Sequence, residues 1–193
     1  SKLKEVQIPL PPLSEQKHIV IILDEAFTAI DKAKANAEKN LDNARELFES
    51  YLNGIFSNPG EDWKEKRLGE VYDVRDGTHD SPKYHQEGYP LITSKNLKND
   101  ELSFEKVQFI SEKDYVKINE RSKVDKGDVL FAMIGTIGNP VVVESEPEFA
   151  IKNVALFKVS ECQNSYFLKY YLDSRYTVEK MLKEAKGTTQ QFV

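Results

Sequence analysis

The 193-residue sequence has one cysteine, one tryptophan and no excess of positive charge. The single thiol, Cys162, excludes an intrachain disulfide and predicts a reducing compartment, the cytoplasm. No apolar run approaches the roughly 20 residues that a membrane-spanning helix needs. With 27 Lys and Arg against 32 Asp and Glu, the net charge is −5. This balance excludes a uniformly basic nucleic-acid coat but leaves room for a local basic face.

Motifs for catalysis and for metal binding are also absent from the sequence. There is no Walker-type phosphate loop, no dinucleotide fingerprint and no Gly-x-Ser-x-Gly elbow. His79, Asp80 and His85 match no standard spacing of metal ligands, so we predict no metal site. These absences predict a binding or assembly module rather than an enzyme. A hydrolase whose active site assembles only on folding stays open, without support from any motif.

A long amphipathic helix is predicted over residues 14–57. Residues 1–13 are rich in proline, which favours an extended path, and Ser14 stands where a helix N-cap belongs. Apolar residues then recur at an average spacing of about 3.6, the helical period. This apolar stripe comprises Ile19, Leu23, Ala26, Ile30, Ala33, Ala37, Leu41, Ala44, Phe48 and Tyr51.

The length of this helix predicts that it pairs with another helix. A helix of roughly 42 residues spans about 63 Å, whereas a domain of the remaining residues should be only about 30–35 Å across. We therefore expect the helix to project and its stripe to be covered by a second long helix, as half of an antiparallel coiled coil. The alternative is a surface helix packed on its own domain.

Residues 58–193 are predicted to form an α+β domain with a twisted, mainly antiparallel or mixed sheet. Turn residues at 57–60 separate it from the helix. Within it we expect a strand at 68–74 and one helix from 165 to about 185. Trp63 is interpreted as a core anchor that joins the helix to the domain, and Asn153 as a structural residue.

Several segments, taken in order, resemble the specificity subunit of a type I restriction–modification system. They are 8–16, 63–70, 76–79, 88–92, 95–97, 124–130, 135–138 and 187–190, and together they span nearly the whole chain. The Pro-rich motif at 8–16 is the most specific of them. The order resembles one repeat of a two-repeat subunit, with 1–13 as the tail of a preceding domain, 14–57 as the spacer helix and 58–193 as a target-recognition domain.

The resemblance implies a non-catalytic chain that recognises double-stranded DNA. It also implies association with modification (methyltransferase) and restriction subunits and, for a chain of this length, a homodimer through the long helix. S-adenosylmethionine, ATP and magnesium would be bound by the partner subunits and not by this chain. The DNA target cannot be read from the sequence.

The predicted DNA-binding residues lie in loops of the α+β domain. Residues 61–193 carry 20 basic and 23 acidic side chains, so any positive face must be segregated. Lysines would bind phosphates, and hydroxyl and amide groups would read base edges. The predicted residues are Thr78, His79, Lys83, Tyr84, Thr93, Ser94, Lys95, Asn96, Lys98, Thr136, Gln190 and Gln191. The alternative function is a coiled-coil dimer whose α+β head binds a protein.

Overall fold

The computed structural model describes residues 2–133 and 137–184. The chain divides into two compact units, Ser1–Phe48 and Glu49–Val193. The division falls inside the long helix α1 (Leu13–Ser57) rather than at its end. The reason is local: Leu52 and Phe56, in the last turns of α1, are buried within the second unit.

The first unit contains a short 3-10 helix (Lys2–Glu5), the Pro-rich segment and α1 as far as Phe48. The carbonyl of Pro12 accepts hydrogen bonds from the amides of Glu15 (2.9 Å) and Gln16 (3.0 Å), so the helix begins just after the last proline. The long helix is confirmed, starting one residue before the predicted N-cap. Among residues 3–48 every side chain is exposed or half-buried, so this unit encloses no core of its own.

The second unit is a mixed α/β domain. Its strands are β1 (Asp73–Asp76), β2 (Tyr89–Ile92), β3 (Leu97–Lys98), β4 (Glu101–Leu102), β5 (Gln108–Ile110), β6 (Val129–Ala132), β7 (Gly138–Val142), β8 (Ala150–Ile151) and β9 (Val154–Lys158). Its helices after α1 are α2 (Leu68–Val71), α3 (Glu112–Ser122), α4 (Ser165–Asp173) and α5 (Arg175–Glu184).

Two sheets and a small hairpin organise the strands. One sheet has the order β1-β9-β6-β7 and is antiparallel throughout. The second has the order β5-β2-β8, in which β2 pairs antiparallel with β5 and parallel with β8. Strands β3 and β4 form a two-stranded hairpin. The mixed sheet expected from the sequence is therefore confirmed.

The core lies on both faces of the four-stranded sheet. Along β6, Leu130 and Ala132 enter one hydrophobic cluster, together with Ile92 and Ile151 of the second sheet. Val129 and Phe131 point to the opposite face and join a cluster with residues of α4. This alternation follows from the two-residue period of a strand. Burial on both faces explains why β6 is apolar at every position.

Two predicted elements differ from the structure. Residues 68–74 are not one strand: α2 comes first and β1 follows, and Glu70 accepts a hydrogen bond from the amide of Arg67 at the start of α2. The predicted single helix near the end is two helices divided at Ser174. The hydroxyl of Ser174 donates to the carbonyl of Tyr171 (2.7 Å) and accepts from the amide of Thr177 (3.3 Å), which ends α4 and starts α5.

Trp63 contacts both the end of α1 and the α/β domain, as predicted for an anchor between them, but it is not a core residue. Its ring lies 6.3 Å from Phe56 at the end of α1 and 6.2 Å from Phe167 of α4, measured between centroids. Nevertheless, 49% of the side chain is exposed.

The 124–130 segment forms a turn around a buried carboxylate. Asp128 is only 2% exposed. It accepts hydrogen bonds from the amides of Asp125 (2.7 Å) and Val159 (3.2 Å) and pairs with the Lys158 ammonium (2.5 Å). Lys158 also bonds Asp125, which lowers the pKa of that carboxyl below its ordinary value. The motif that resembled the family is thus a structural turn, since it joins the ends of β6 and β9.

In the described part of the chain, no helix has both the length and the apolar character needed to cross a membrane.

Candidate nucleic-acid interface

The loop after β1 and the end of β2 lie on either side of β8, the edge strand of the second sheet. The loop that follows β1 runs beside β8 in parallel, with Thr78 paired to Lys152. The amide of Thr78 donates to the carbonyl of Ile151 (3.0 Å), and the amide of Asn153 donates to the carbonyl of Thr78 (3.1 Å). On the other side, the amide of Lys152 donates to the carbonyl of Ile92 at the end of β2 (2.8 Å). We call these segments, 77–85, 92–98 and 151–153, the β8 cluster.

Gly77 is required where this loop meets β8. A Cβ atom on Gly77 would lie 2.7 Å from the carbonyl oxygen of Ile151, which is closer than real Cβ atoms approach. The predicted DNA-binding residues Thr78 and His79 follow directly. The absence of a side chain at Gly77 therefore sets the path of the loop that carries them.

His79 is held by Asn153. Its Nδ1 lies 2.9 Å from the amide oxygen of Asn153, which can only accept a hydrogen bond. With the amide assigned this way, Nδ1 carries the proton, and the exposed ring is left with Nε2 for another partner. Asn153 adopts a left-handed conformation (φ 54°), which asparagine tolerates better than most residues. Its structural role, expected from the sequence, agrees with this geometry.

Two cations fix the base of the loop, and the sequence reasoning missed both. The Lys152 ammonium donates to the carbonyl of Asp80 (2.9 Å) and to the hydroxyl of Ser81 (2.6 Å). The guanidinium of Arg121, on α3, donates to the carbonyls of Asp76 (3.1 Å) and Gly77 (3.0 Å). The only sequence signal that could have pointed to Lys152 is its position as a cation between two apolar strands. No sequence signal points to Arg121, because the residues it contacts are distant in sequence.

A polar cavity of about 370 Å³ opens between this loop and α3. Lys117 and Arg121 of α3 line one side, and Asp80 and Ser81 of the loop line the other. Asp114 also lines it, so the cavity carries both signs of charge.

The predicted residues Lys83 and Tyr84 are exposed at the tip of the loop. The chain is pinned again directly after them, because the amide of His85 donates to the carbonyl of Phe109 in β5 (2.9 Å). A tip held at both ends presents its cation and its aromatic ring at a defined place on the surface.

A 3-10 turn over Ser94–Asn96, capped by Thr93, follows β2. Asn96 is only 5% exposed. Its amide oxygen accepts from the amide (3.0 Å) and the hydroxyl (3.0 Å) of Thr93, and its nitrogen donates to the carbonyl of Ser103 (2.9 Å). The amide is thus engaged inside the domain, so this geometry assigns Asn96 to holding the turn instead of reading a base. Lys95 and Lys98 are exposed on either side.

Nine of the twelve predicted DNA-binding residues lie in segments 77–85 and 92–98. Of these, Thr78 and His79 directly contact the segment 151–153, through a backbone bridge to Lys152 and a hydrogen bond to Asn153. Thr136, Gln190 and Gln191 lie outside the described residues, as does Gly135. Among residues 2–133 and 137–184, no group of three or more His, Cys, Asp and Glu side chains could hold a metal ion. His79 is committed to Asn153, and His85 is anchored through its backbone.

The structure thus combines a long helix with a mixed α/β domain, whose loop after β1 is fixed by hydrogen bonds and carries the exposed Lys83. The family of type I restriction modification DNA specificity domains matches residues 1–40 and 60–193, and the chain belongs to this family. The resemblance that the sequence suggested is confirmed.

Known relatives match the chain over about half of their own length. The specificity subunit of the type I restriction enzyme MjaVIII, from Methanocaldococcus jannaschii, is 28% identical over 98% of this chain and 49% of that protein. The crystal structure of the HsdS subunit from Thermoanaerobacter tengcongensis has a TM-score of 0.57 at 21% identity, over 90% of this chain and 43% of that one. A second structure, from a study of complex assembly in the type I system, matches with the same TM-score over 89% and 43%. These structures share the fold.

Proposed function

We propose that this chain is the DNA-reading part of a type I restriction–modification complex and recognises one half of a two-part site in double-stranded DNA. The observation that carries the proposal is the β8 cluster, in which loops fixed by internal hydrogen bonds carry exposed lysines. Such an arrangement suits phosphate contacts that position the protein and neighbouring polar groups that read bases. Membership of the specificity-domain family supports the same function.

The proposal assigns different roles to the residues of this surface. Lys83, Lys95 and Lys98 bind phosphates, because each is exposed at a loop tip or turn. The polar side chains between them, Thr78, His79, Tyr84, Thr93 and Ser94, contact base edges or sugars. Asn96 positions the turn. Contacts by Thr136, Gln190 and Gln191 rest on the family resemblance alone.

We infer that α1 pairs antiparallel with α1 of a second copy. The stripe residues Ile19, Leu23, Ile30 and Leu41 each leave 43–61% of their surface exposed, and the alanines between them permit close helix contact. Near the start of α1, Val20, Ile21 and Ile22 are also about half exposed, so apolar surface there surrounds the helix. One partner helix cannot cover it, and we propose that a modification subunit covers the remainder.

The proposed complex divides its chemistry among subunits. This chain is non-catalytic and binds no cofactor, while the modification and restriction subunits bind S-adenosylmethionine, ATP and magnesium. The proposed location is the cytoplasm, in keeping with the single, exposed Cys162.

Selection from a random duplex library tests the function directly. The full chain is used near physiological salt, with the cognate modification subunit added. Enrichment of two equal, inverted half-sites at a fixed spacing supports both DNA reading and antiparallel pairing. A single enriched half-site supports DNA reading and contradicts the pairing. No enrichment by the folded chain contradicts the proposal and favours the protein-binding assembly module, to which the net negative charge is better suited.

Lysine substitutions test the proposed surface. We expect Lys83→Ala and Lys95→Ala each to weaken binding to all duplexes and to reduce the slope of log affinity against log salt by about 0.9, the value for one phosphate contact. Lys106→Ala is the matched control, because Lys106 is exposed on the segment between β4 and β5, outside the β8 cluster. Unchanged slopes for both test variants would show that this surface does not bind DNA.

A further inference from the structure

Asn153 holds the imidazole of His79, and this contact decides what the ring can bind. The Asn153 amide oxygen lies 2.9 Å from Nδ1 of His79. An amide oxygen only accepts hydrogen bonds, so Nδ1 of the neutral ring carries the proton and Nε2 keeps a free electron pair. His79 is exposed, which leaves Nε2 for a partner from outside the chain. The ring therefore offers that partner an acceptor, whereas free neutral histidine favours the opposite tautomer, in which Nε2 is the donor.

The backbone on both sides of His79 is held as well. The amide of Thr78 donates to the carbonyl of Ile151 (3.0 Å), and the hydroxyl of Thr78 accepts from the amide of Asp80 (3.2 Å). The Lys152 ammonium donates to the carbonyl of Asp80 (2.9 Å). A side chain whose backbone and ring are both held loses little conformational freedom on binding, which favours a specific contact.

An acceptor at this place selects its partner by chemistry. Phosphate oxygens and the keto oxygens of bases also only accept hydrogen bonds, so a neutral ring in this tautomer cannot bind them through Nε2. The donors that base edges present in the grooves are exocyclic amino groups, namely N6 of adenine and N4 of cytosine in the major groove and N2 of guanine in the minor groove. His79 is therefore matched to a base that presents an amino group.

We propose that His79 accepts a hydrogen bond from the exocyclic amino group of one base in the DNA target, and that Asn153 is the positioning residue that keeps His79 in the required tautomer. This inference rests on the proposed function, because it takes the β8 cluster to face DNA. It gives the loop after β1 a share in specificity that Lys83 cannot supply, since a lysine at a phosphate carries no sequence information.

Substitutions at Asn153 test the positioning role in the full chain without DNA. Asn153 has a φ of 54°, which glycine and aspartate both tolerate. Asn153→Asp retains an acceptor and should keep the Nδ1–H tautomer, whereas Asn153→Gly removes the acceptor and should shift the ring toward the Nε2–H form.

Nitrogen-15 NMR of the imidazole rings measures the tautomer. Spectra are recorded near pH 9, where histidine rings are neutral, and His79→Gln identifies the signals of His79. An Nε2–H ring in the unmodified chain overturns the inference. An unchanged tautomer in Asn153→Gly also overturns it, because the ring would then not depend on Asn153.

Removal of single amino groups from the DNA tests the base contact. In the duplex that selection enriches, each adenine, cytosine and guanine is replaced in turn by purine, 2-pyrimidinone or hypoxanthine, which lack the amino group. We expect one position at which this change weakens binding by the unmodified chain about three- to tenfold, as for one lost hydrogen bond, but leaves binding by His79→Ala and Asn153→Gly unaffected.

Asn99→Gly is the matched control for Asn153→Gly. Asn99 is an exposed asparagine with a φ of 49° in the turn between β3 and β4. We expect this variant, like Asn153→Asp, to show the same loss as the unmodified chain. The slope of log affinity against log salt should stay unchanged in Asn153→Gly, because the phosphate contacts are retained. A smaller slope would show that Asn153 supports the whole loop, which overturns its specific role.

The results distinguish failure of this inference from failure of the proposed function. Specific binding in which each amino group matters equally to the unmodified chain and to Asn153→Gly overturns the base contact and leaves DNA recognition intact. If no duplex is enriched by the folded chain, the proposed function is overturned, and the base contact with it.

Discussion

Gly77 is the residue that sets the path of the loop after β1. We expect Gly77→Ala to lower the free energy of unfolding by about 1–3 kcal/mol, since the added methyl group would press on the carbonyl of Ile151 and force the backbone apart. Urea unfolding followed by circular dichroism measures this change. Gly54→Ala is the matched control: nothing lies within 4 Å of its Cβ position, and in a helix the change should stabilise by about 0.5–1 kcal/mol. Equal effects of the two substitutions would contradict the close approach at Gly77.

Lys158 neutralises a buried carboxylate, and its removal should be costly. We expect Lys158→Met to destabilise the protein by about 3–5 kcal/mol, because Asp128 would be left buried without a counter-charge. Lys123→Met is the control. Lys123 pairs with Asp125 (3.2 Å), the second carboxylate that Lys158 binds, but Lys123 is exposed. Its replacement should therefore change stability by at most about 0.5 kcal/mol. Chemical denaturation of both variants at neutral pH measures the difference. Similar losses would mean that burial of Asp128 is unimportant.

The same network predicts a pH dependence. The hydrogen bond from Lys158 lowers the pKa of Asp125, so its stabilising contribution is complete above the ordinary value of 3.8 and is lost as pH falls through the lowered pKa. Burial opposes the charge on Lys158, but the hydrogen bonds that its ammonium donates to Asp125 and Asp128 outweigh burial and raise the pKa of Lys158. At alkaline pH, the stabilisation that charged Lys158 provides is therefore lost as pH rises through its raised pKa. A flatter stability profile below pH 4 in Lys158→Met would confirm the coupling.

At the scale of elements, the turn after β2 depends on one buried amide. We expect Asn96→Ala to destabilise by about 1–3 kcal/mol, because the amide of Thr93 and the carbonyl of Ser103 each lose a partner inside the domain. DNA binding should weaken along with it, since Lys95 and Lys98 lose their support. Thermal unfolding measures the first effect, and titration with duplex DNA measures the second. Lys95 is exposed, so Lys95→Ala should weaken DNA binding without loss of stability. If instead Lys95→Ala lowered stability and Asn96→Ala affected only DNA binding, the roles given to the two residues would be exchanged.

Element boundaries were predictable where a local signal existed. Prolines at 9, 11 and 12 ended the extended segment and let the helix begin at Leu13. The strand at 68–74 was wrong because a seven-residue segment that mixes apolar residues with Gly69, Glu70 and Asp73 carries no local mark of where a helix ends and a strand begins. The division between α4 and α5 was missed because Ser174 acts through hydrogen bonds of its side chain, which composition does not reveal.

For the whole molecule, the exposed stripe of α1 predicts an assembly. We expect Ile30→Glu to weaken the dimer by about tenfold or more, roughly 1.4 kcal/mol or above, because a charge would enter the helix contact. Lys32→Glu, on the charged side of the helix, is the control and should leave the dimer unchanged. Sedimentation velocity over a range of concentrations measures both. A dimer that tolerates Ile30→Glu would place the contact on another face.

The amino-acid sequence by itself determined the long helix, the mixed sheet and the family. These depend on repeated local patterns, namely helical spacing, short strands between turns and motifs in a fixed order, which survive without knowledge of contacts. Only the tertiary structure decided how the loops are held. Lys152, Asn153 and Arg121 reach segments more than 40 residues away, so their contacts with the loop after β1 exist only once β8 and α3 are packed beside it. For the same reason, Asn96, which the sequence offered as a base reader, became a buried support once the fold enclosed its amide.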